Sequence, residues 1–161
     1  MAQLLIVYHS KTGGSRKMAE ASAAAARDEV QTVLKTAQET EPEDLLCADG
    51  YIFCGPENLA AIAGIMKDFY DRSYYPVLGR IQGRPYAQMV CAGSDGENAA
   101  RQTARIARGW RLKEVQPPLI ICTQAQTPEE ILAEKSFSEE QLMLCRDLGA
   151  AMGAGLSMGV F

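Results

Sequence analysis

Histidine occurs once in this sequence, at position 9, and tryptophan once, at position 110. The five cysteines, Cys47, Cys54, Cys91, Cys122 and Cys145, are odd in number and scattered. One histidine and dispersed thiols argue against a zinc site and against a disulfide framework, so no metal is expected and the cysteines are read as buried, reduced thiols. No apolar run approaches the roughly 20 residues that a membrane span needs. The first residues carry no basic-then-apolar leader, and a cytoplasmic protein without a membrane partner is expected. An excess of one charge is also missing: 16 Lys and Arg against 20 Asp and Glu leave a net charge of -4, which gives no reason to expect nucleic acid as a partner. Internal repeats and low-complexity linkers are absent. The 161 residues therefore read as a single domain, 1–161, long enough for a full core.

What is present is alternation. "QLLIVY" is a short apolar run of the kind buried on both faces of a sheet. Ser15 to Glu29 is rich in helix formers, and "VQTVLKT" reads as a second, partly exposed strand. An acidic connection follows, with a helical turn opening at Pro42, and then "GYIFCG" as a third strand. Ala61 to Tyr74 has Ile62, Ile65, Met66 and Phe69 at helical spacing. "YAQMVCAG" is a fourth strand, Asn98 to Trp110 a helix, and "PLIICTQ" a fifth strand. Ser138 and Gln141 form a capping box at the head of a last helix ending near Leu156. Gln126 to Phe137 reads as one long irregular insertion. Strands and helices alternating in this way predict an α/β fold, a five-stranded parallel sheet with helices on both faces.

In such sheets ligands sit beyond the carboxyl ends of the strands. The loops there are "HSKTGGS", "GPENLA" and "AGSDGEN", and none carries an aromatic residue. The first has a definite chemistry. Gly13 and Gly14 permit backbone angles and close approach that a side chain would block. Ser10, Thr12 and Ser15 supply hydroxyls, and the following helix offers free N–H groups and the positive end of its dipole. Together these suit a phosphate. The loop has neither the G-x-x-x-x-G-K-[ST] spacing of nucleoside triphosphatases nor the dinucleotide G-x-G-x-x-G.

Ser10-x-Thr12-Gly13-x-Ser15 resembles the flavodoxin phosphate loop, [ST]-x-T-G-x-[ST], at every specified position. "GPENLAAIAGIMKDFYDR" is similar to the segment after the third strand of flavodoxin-like NAD(P)H:quinone oxidoreductases, with Pro56, Met66, Lys67, Phe69 and Asp71 matching. The resemblance implies a flavodoxin-like three-layer sandwich that binds FMN. It assigns the phosphate to Ser10, Lys11, Thr12, Gly13, Gly14 and Ser15. The ring edges fall to Pro56, Glu57, Asn58 and Leu59 and to Gly93, Ser94, Asp95 and Gly96. It also implies hydride from NAD(P)H and a quinone or other small acceptor, with no catalytic side chain, because the cofactor carries the chemistry. A one-electron carrier, or a flavodoxin fold that has lost the flavin, are the alternatives.

The sequence departs from that pattern where a ring should shield the flavin. Leu59 and Ala60 stand where the reductases place an aromatic residue and a glycine, and Gly93–Asn98 lacks a tyrosine. The candidates for a ring from elsewhere are Trp110, Tyr74 and Tyr75, which leaves open a homo-oligomer with a neighbouring copy as donor. Glu57 beside the ring would disfavour an anionic reduced flavin; otherwise it serves a helix dipole. His9 is read as a strand-end residue satisfied by backbone. Arg101, Arg105, Arg108, Arg111 and Lys113 are read as a solvated helix face.

Overall fold

The computed structural model describes residues 1–161. Along the chain run β1 (Gln3–Tyr8), α1 (Gly14–Ala26), β2 (Gln31–Thr36), α2 (Pro42–Cys47), β3 (Gly50–Asn58) and β4 (Ala61–Ile62). They are followed by α3 (Gly64–Val77), β5 (Pro85–Ala92), α4 (Glu97–Gly109), β6 (Lys113–Glu114), β7 (Leu119–Cys122), α5 (Pro128–Leu132) and α6 (Glu139–Met158). The sheet order is β2-β1-β3-β5-β6, with β7 also on β5 and β4 on β3. Every pairing is parallel except β3 with β4. No helix is long and apolar enough to cross a membrane.

The sheet has seven strands where five were expected. Two local causes account for the difference. The fifth position is shared by β6, opposite Pro85 and Tyr86, and β7, opposite Met89 to Ala92. Between them lie Pro117 and Pro118, which have no N–H to give to a ladder and which confine themselves to edges and interruptions. The other extra strand arises because β3 overruns the sheet and folds back: Glu57 pairs with Ile62 and Asn58 with Ala61. This hairpin takes the residues predicted to open α3, so the helix begins at Gly64 rather than Ala61. Within the supposed irregular insertion, Thr127 and Glu130 form a capping box with Pro128 in the first turn, and α5 results. The capping box at Ser138 and Gln141 is present as expected.

Side-chain alternation divides the core between two faces. Leu4 and Ile6 of β1 pack with Met18, Ala19 and Ala23 of α1 and with Leu148 and Met152 of α6. Leu5 and Val7 point the other way, into Tyr51, Phe53, Met66, Phe69, Tyr70 and Trp110. Small residues bring α1 and α6 close: a Cβ on Gly149 would lie 2.1 Å from the Ser22 carbonyl oxygen. All five cysteines are free, and Cys54, Cys91 and Cys145 are buried. Cys47 is exposed at the end of α2, against the expectation that all five would be inside.

Helices run antiparallel to the strands, so their carboxyl ends lie at the edge remote from the loops of interest. Trp110, just beyond α4, is fully buried, donates its indole N–H to the Tyr74 carbonyl at 3.0 Å and stacks on the Tyr74 ring at 5.7 Å. Trp110, Tyr74 and Tyr75 therefore belong to the far end of this chain and give its cleft no ring. Trp110→Ala should destabilise the fold by about 3–5 kcal/mol, through lost burial and a residual cavity. Urea denaturation measures this directly; a loss under about 1 kcal/mol would be incompatible with that packing.

Candidate functional site

The junction between β1 and α1 is abrupt. Gly13 adopts φ 88, a left-handed conformation that a side chain strains, and it is the residue from which α1 starts. The Ser10 hydroxyl accepts from the Gly13 N–H at 3.1 Å and holds the turn. Gly14 is needed for a different reason: a Cβ there would sit 2.6 Å from the Cys91 sulfur. The helix thus starts pressed against β5, with its first N–H groups lacking intrahelical acceptors. Beside them the Ser15 hydroxyl is buried, 2% exposed, and has no hydrogen-bond partner. A buried, unpaired hydroxyl is costly unless a ligand satisfies it. His9 is not part of this cradle. Its N–H donates to the Cys54 carbonyl at 3.1 Å, and partial burial lowers its pKa, so it is neutral at physiological pH.

Two adjoining cavities open at this edge of the sheet. One, of about 150 Å³, is bounded by Ser10, Lys11, Thr12, Gly14, Ser15, Pro56 and Asn58. The second, of about 440 Å³, lies between Pro56–Leu59 on one side and Gly93 and Ser94 on another. Thr12, Pro56, Asn58, Cys91 and Ile131 border both, so the two form a continuous cleft. Of the residues chosen from sequence, Gly13, Asp95 and Gly96 do not line it and serve as backbone supports instead. Gly96 repeats the device of Gly13, opening α4 at φ 88. Its N–H donates to the Glu57 carboxylate at 2.8 Å, so Glu57 sits at the amino end of α4 and joins two of the three loops. Asp95 accepts from the Glu97 N–H at 3.3 Å.

The hairpin that carries Glu57 to Ile62 is fastened to α4 at two further points. Asn98 donates its side-chain amide to the Ala60 carbonyl at 2.6 Å, and the Ile62 N–H donates to the Gln102 side chain at 2.9 Å. Its tip is strained. Leu59 and Ala60 have φ 51 and 64, the backbone of a two-residue turn that normally demands Asn or Gly. The Leu59 side chain is fully exposed at the rim of the cleft. No aromatic residue lines either cavity.

The third wall was missed from sequence. Thr123, Ala125, Gln126, Ile131 and Lys135 line the larger cavity, and Leu132 joins Ile131 at the smaller. Gln126, Ile131, Leu132 and Lys135 come from the stretch read as an irregular insertion, which holds α5, and Thr123 and Ala125 from the turn after β7; the T-P-E-E capping box was the signal available. Cys91 forms the floor. Burial raises its thiol to a pKa of about 11 against an opposing pull from Lys135, so it is a neutral thiol at ordinary pH. Along α4 the exposed Arg101 donates to Asn98 at 2.7 Å, and Arg105 and Arg108 face solvent.

No protein-family model matches the chain. It is 35% identical to a flavodoxin of Aquifex aeolicus, the match covering 58% of this chain and 50% of that protein. It is 33% identical to an NAD(P)H dehydrogenase (quinone) of Acidithiobacillus ferrooxidans, covering 45% of this chain and 48% of that protein. The matches thus span about half the length of these curated relatives. Among solved structures, a flavodoxin from the Archaea superposes with a TM-score of 0.78 at 18% identity, over 96% of this chain and 98% of that one. The chain has a flavodoxin-like fold, and its sequence resembles flavodoxins and the quinone dehydrogenases.

Two outcomes follow from the cradle and the hairpin. Ser15→Ala removes an unpaired buried hydroxyl, so the free protein should be as stable as the parent or slightly more so, whereas Thr12→Ala with Ser15→Ala should weaken phosphate-ester binding at least tenfold. Thermal melts and a binding titration together separate a ligand-holding hydroxyl from a turn former. Ala60→Gly should stabilise the free protein by about 0.5–1 kcal/mol, since relief of a left-handed alanine outweighs the added freedom of the unfolded chain. Unchanged or lower stability in denaturant would show that the tip is unstrained.

Proposed function

We propose that this chain binds FMN in the cleft and acts as an oxidoreductase that takes hydride from NAD(P)H and passes electrons to a quinone or another small acceptor. The observation that carries the reading is the Ser15 hydroxyl, buried and unpartnered beside the free first-turn N–H groups of α1, on the cavity of about 150 Å³ that opens into the larger one. Those residues fit a single phosphate ester: donors converge from backbone and hydroxyl, left-handed Gly13 makes the turn that presents them, and no second phosphate loop is present. When bound, FMN supplies the two-electron chemistry at its ring.

The protein's own residues then have definite tasks. Ser10 shapes the loop, while Thr12 and Ser15 are free to donate to the phosphate. Pro56, Asn58 and Leu59 present a hairpin edge held rigid by Glu57, Asn98 and Gln102, so a flat ring would meet a fixed surface. Glu57 spends its charge on the Gly96 N–H at the positive end of α4, which moderates its field on anything bound nearby. Because no aromatic side chain covers the cleft, a nicotinamide or quinone has room to stack where a shielded carrier would place a ring. The open cleft favours the enzyme over the alternative of a flavodoxin-type electron carrier, which the likeness to flavodoxins also supports.

Titration should quench flavin fluorescence more tightly for FMN than for riboflavin. Anaerobic stopped-flow of the FMN-loaded protein should then bleach the oxidised-flavin band with NADH or NADPH, with a quinone restoring it. Bleaching by neither nucleotide, with reduction only through a partner reductase, would replace the enzyme by the carrier.

A further inference from the structure

The stretch after α5 crosses the phosphate loop and is fastened to it. The Lys135 N–H donates to the Thr12 carbonyl at 2.9 Å, and Lys17 donates its ammonium to the Lys135 carbonyl. The Glu134 carboxylate lies against Gly13 of that loop, where a Cβ would meet it at 2.2 Å, and is neutralised by Lys17 at 3.1 Å and Arg16 at 3.4 Å. This clamp fixes where the Lys135 side chain goes. Its ammonium donates to the Ile131 and Ala133 carbonyls at 2.7 and 2.6 Å and to the Glu130 carbonyl at 3.0 Å. It also reaches the Thr12 hydroxyl oxygen at 3.3 Å.

We propose that Lys135 supplies, from the α5 side, the uncancelled positive charge that favours a phosphate at the Ser10–Ser15 loop, acting through its field rather than through a direct hydrogen bond. The proposal rests on the reading of the cleft as an FMN site. Three features carry it. Lys135 lines the cleft and has no carboxylate within ion-pairing distance, so carbonyl dipoles hold its ammonium while its full charge stays uncancelled. The Thr12 hydroxyl oxygen lies 3.3 Å from that ammonium, the most distant of its four neighbours, which orients the Thr12 O–H away from the cation and towards an incoming anion. The unpartnered Ser15 hydroxyl lines the smaller cavity, which meets, at Thr12, the one that Lys135 lines. The phosphate loop contributes only one ionised group of its own, Lys11, and that side chain is exposed. A phosphate monoester carries close to two negative charges at pH 7, so a nearby uncompensated ammonium decides whether it is preferred over a neutral ligand of the same shape. Burial holds Cys91 protonated on the cleft floor, and the opposing pull of Lys135 there is the same field acting within the site.

The test is fluorescence titration of the parent, Lys135→Met and Lys135→Arg with FMN and with riboflavin at low and high ionic strength, with melts of each unliganded protein. The parent should prefer FMN. Lys135→Met should weaken FMN binding about tenfold or more, leave riboflavin unchanged and flatten the salt dependence, while Lys135→Arg keeps most of the preference. Equal FMN affinity in Lys135→Met, or equal losses of FMN and riboflavin, would overturn the assignment and leave Lys135 as a staple for α5. If Lys135→Met does not fold, lysine acetylation of the parent followed by mass spectrometry decides the matter: FMN but not riboflavin should protect Lys135, and equal labelling would overturn the proposal. A parent that does not distinguish FMN from riboflavin would instead remove the FMN reading itself, and the proposal with it.

Discussion

The site depends on one contact, the start of α1 against β5. Gly14 has no side chain, and the Cys91 sulfur occupies the space a methyl group would need. That allows the helix to begin directly at the carboxyl end of β1 instead of standing off by a side chain. Gly13 at φ 88 makes the reversal, and the Ser10 hydroxyl ties it off. A few displaced atoms here would lift the first turn, and with it the free N–H groups and the Ser15 hydroxyl, away from the cleft. The small residues of α1 and the glycines of α6 serve the same end lower down, since they let the helix lie close to its neighbours along its length.

The other two walls are held in place by hydrogen bonds to neighbouring elements. Glu57, Asn98 and Gln102 hold the β3–β4 hairpin to α4, so a strained two-residue tip keeps one conformation. The main-chain bond from Lys135 to Thr12 does the same for the segment after α5. Each wall is held by polar bonds, the hairpin to α4 and the Lys135 segment to the Thr12 loop and α1. A cleft built in this way holds its shape while its surface remains polar and open, which suits a ligand that is charged at one end and flat at the other.

Charge placement follows the same geometry. Both α1 and α4 point their amino ends at the cleft, and each begins at a left-handed glycine. At α4 the anion is supplied internally by Glu57. At α1 no carboxylate accepts from the first turn; Glu134 pairs with Arg16 and Lys17 instead. The two helix dipoles therefore differ: the one at α4 meets a carboxylate of the loop framework, and the one at α1 meets none.

Much of this was legible in the sequence because the relevant physics is local. Apolar runs of strand length, helix formers between them and the Ser138–Gln141 capping box depend on near neighbours, and they placed the parallel sheet and most of its helices. The sharp turn into α1 was legible for the same reason: glycine conformational freedom and the capping Ser10 hydroxyl are carried by six consecutive residues, Ser10 to Ser15. What the tertiary structure decided is long-range. Trp110 and the tyrosines of α3 are chemically suited to stack on a ring, but helix direction carries them to the other end of the sheet. Glu57 turned to Gly96, 39 positions away, and Lys135 arrived beside Thr12 across 123, because strand order and crossover direction set which loops meet. Pro117 and Pro118 could be read directly, yet that they would split the edge strand into two pieces on β5 depended on which neighbour it paired with.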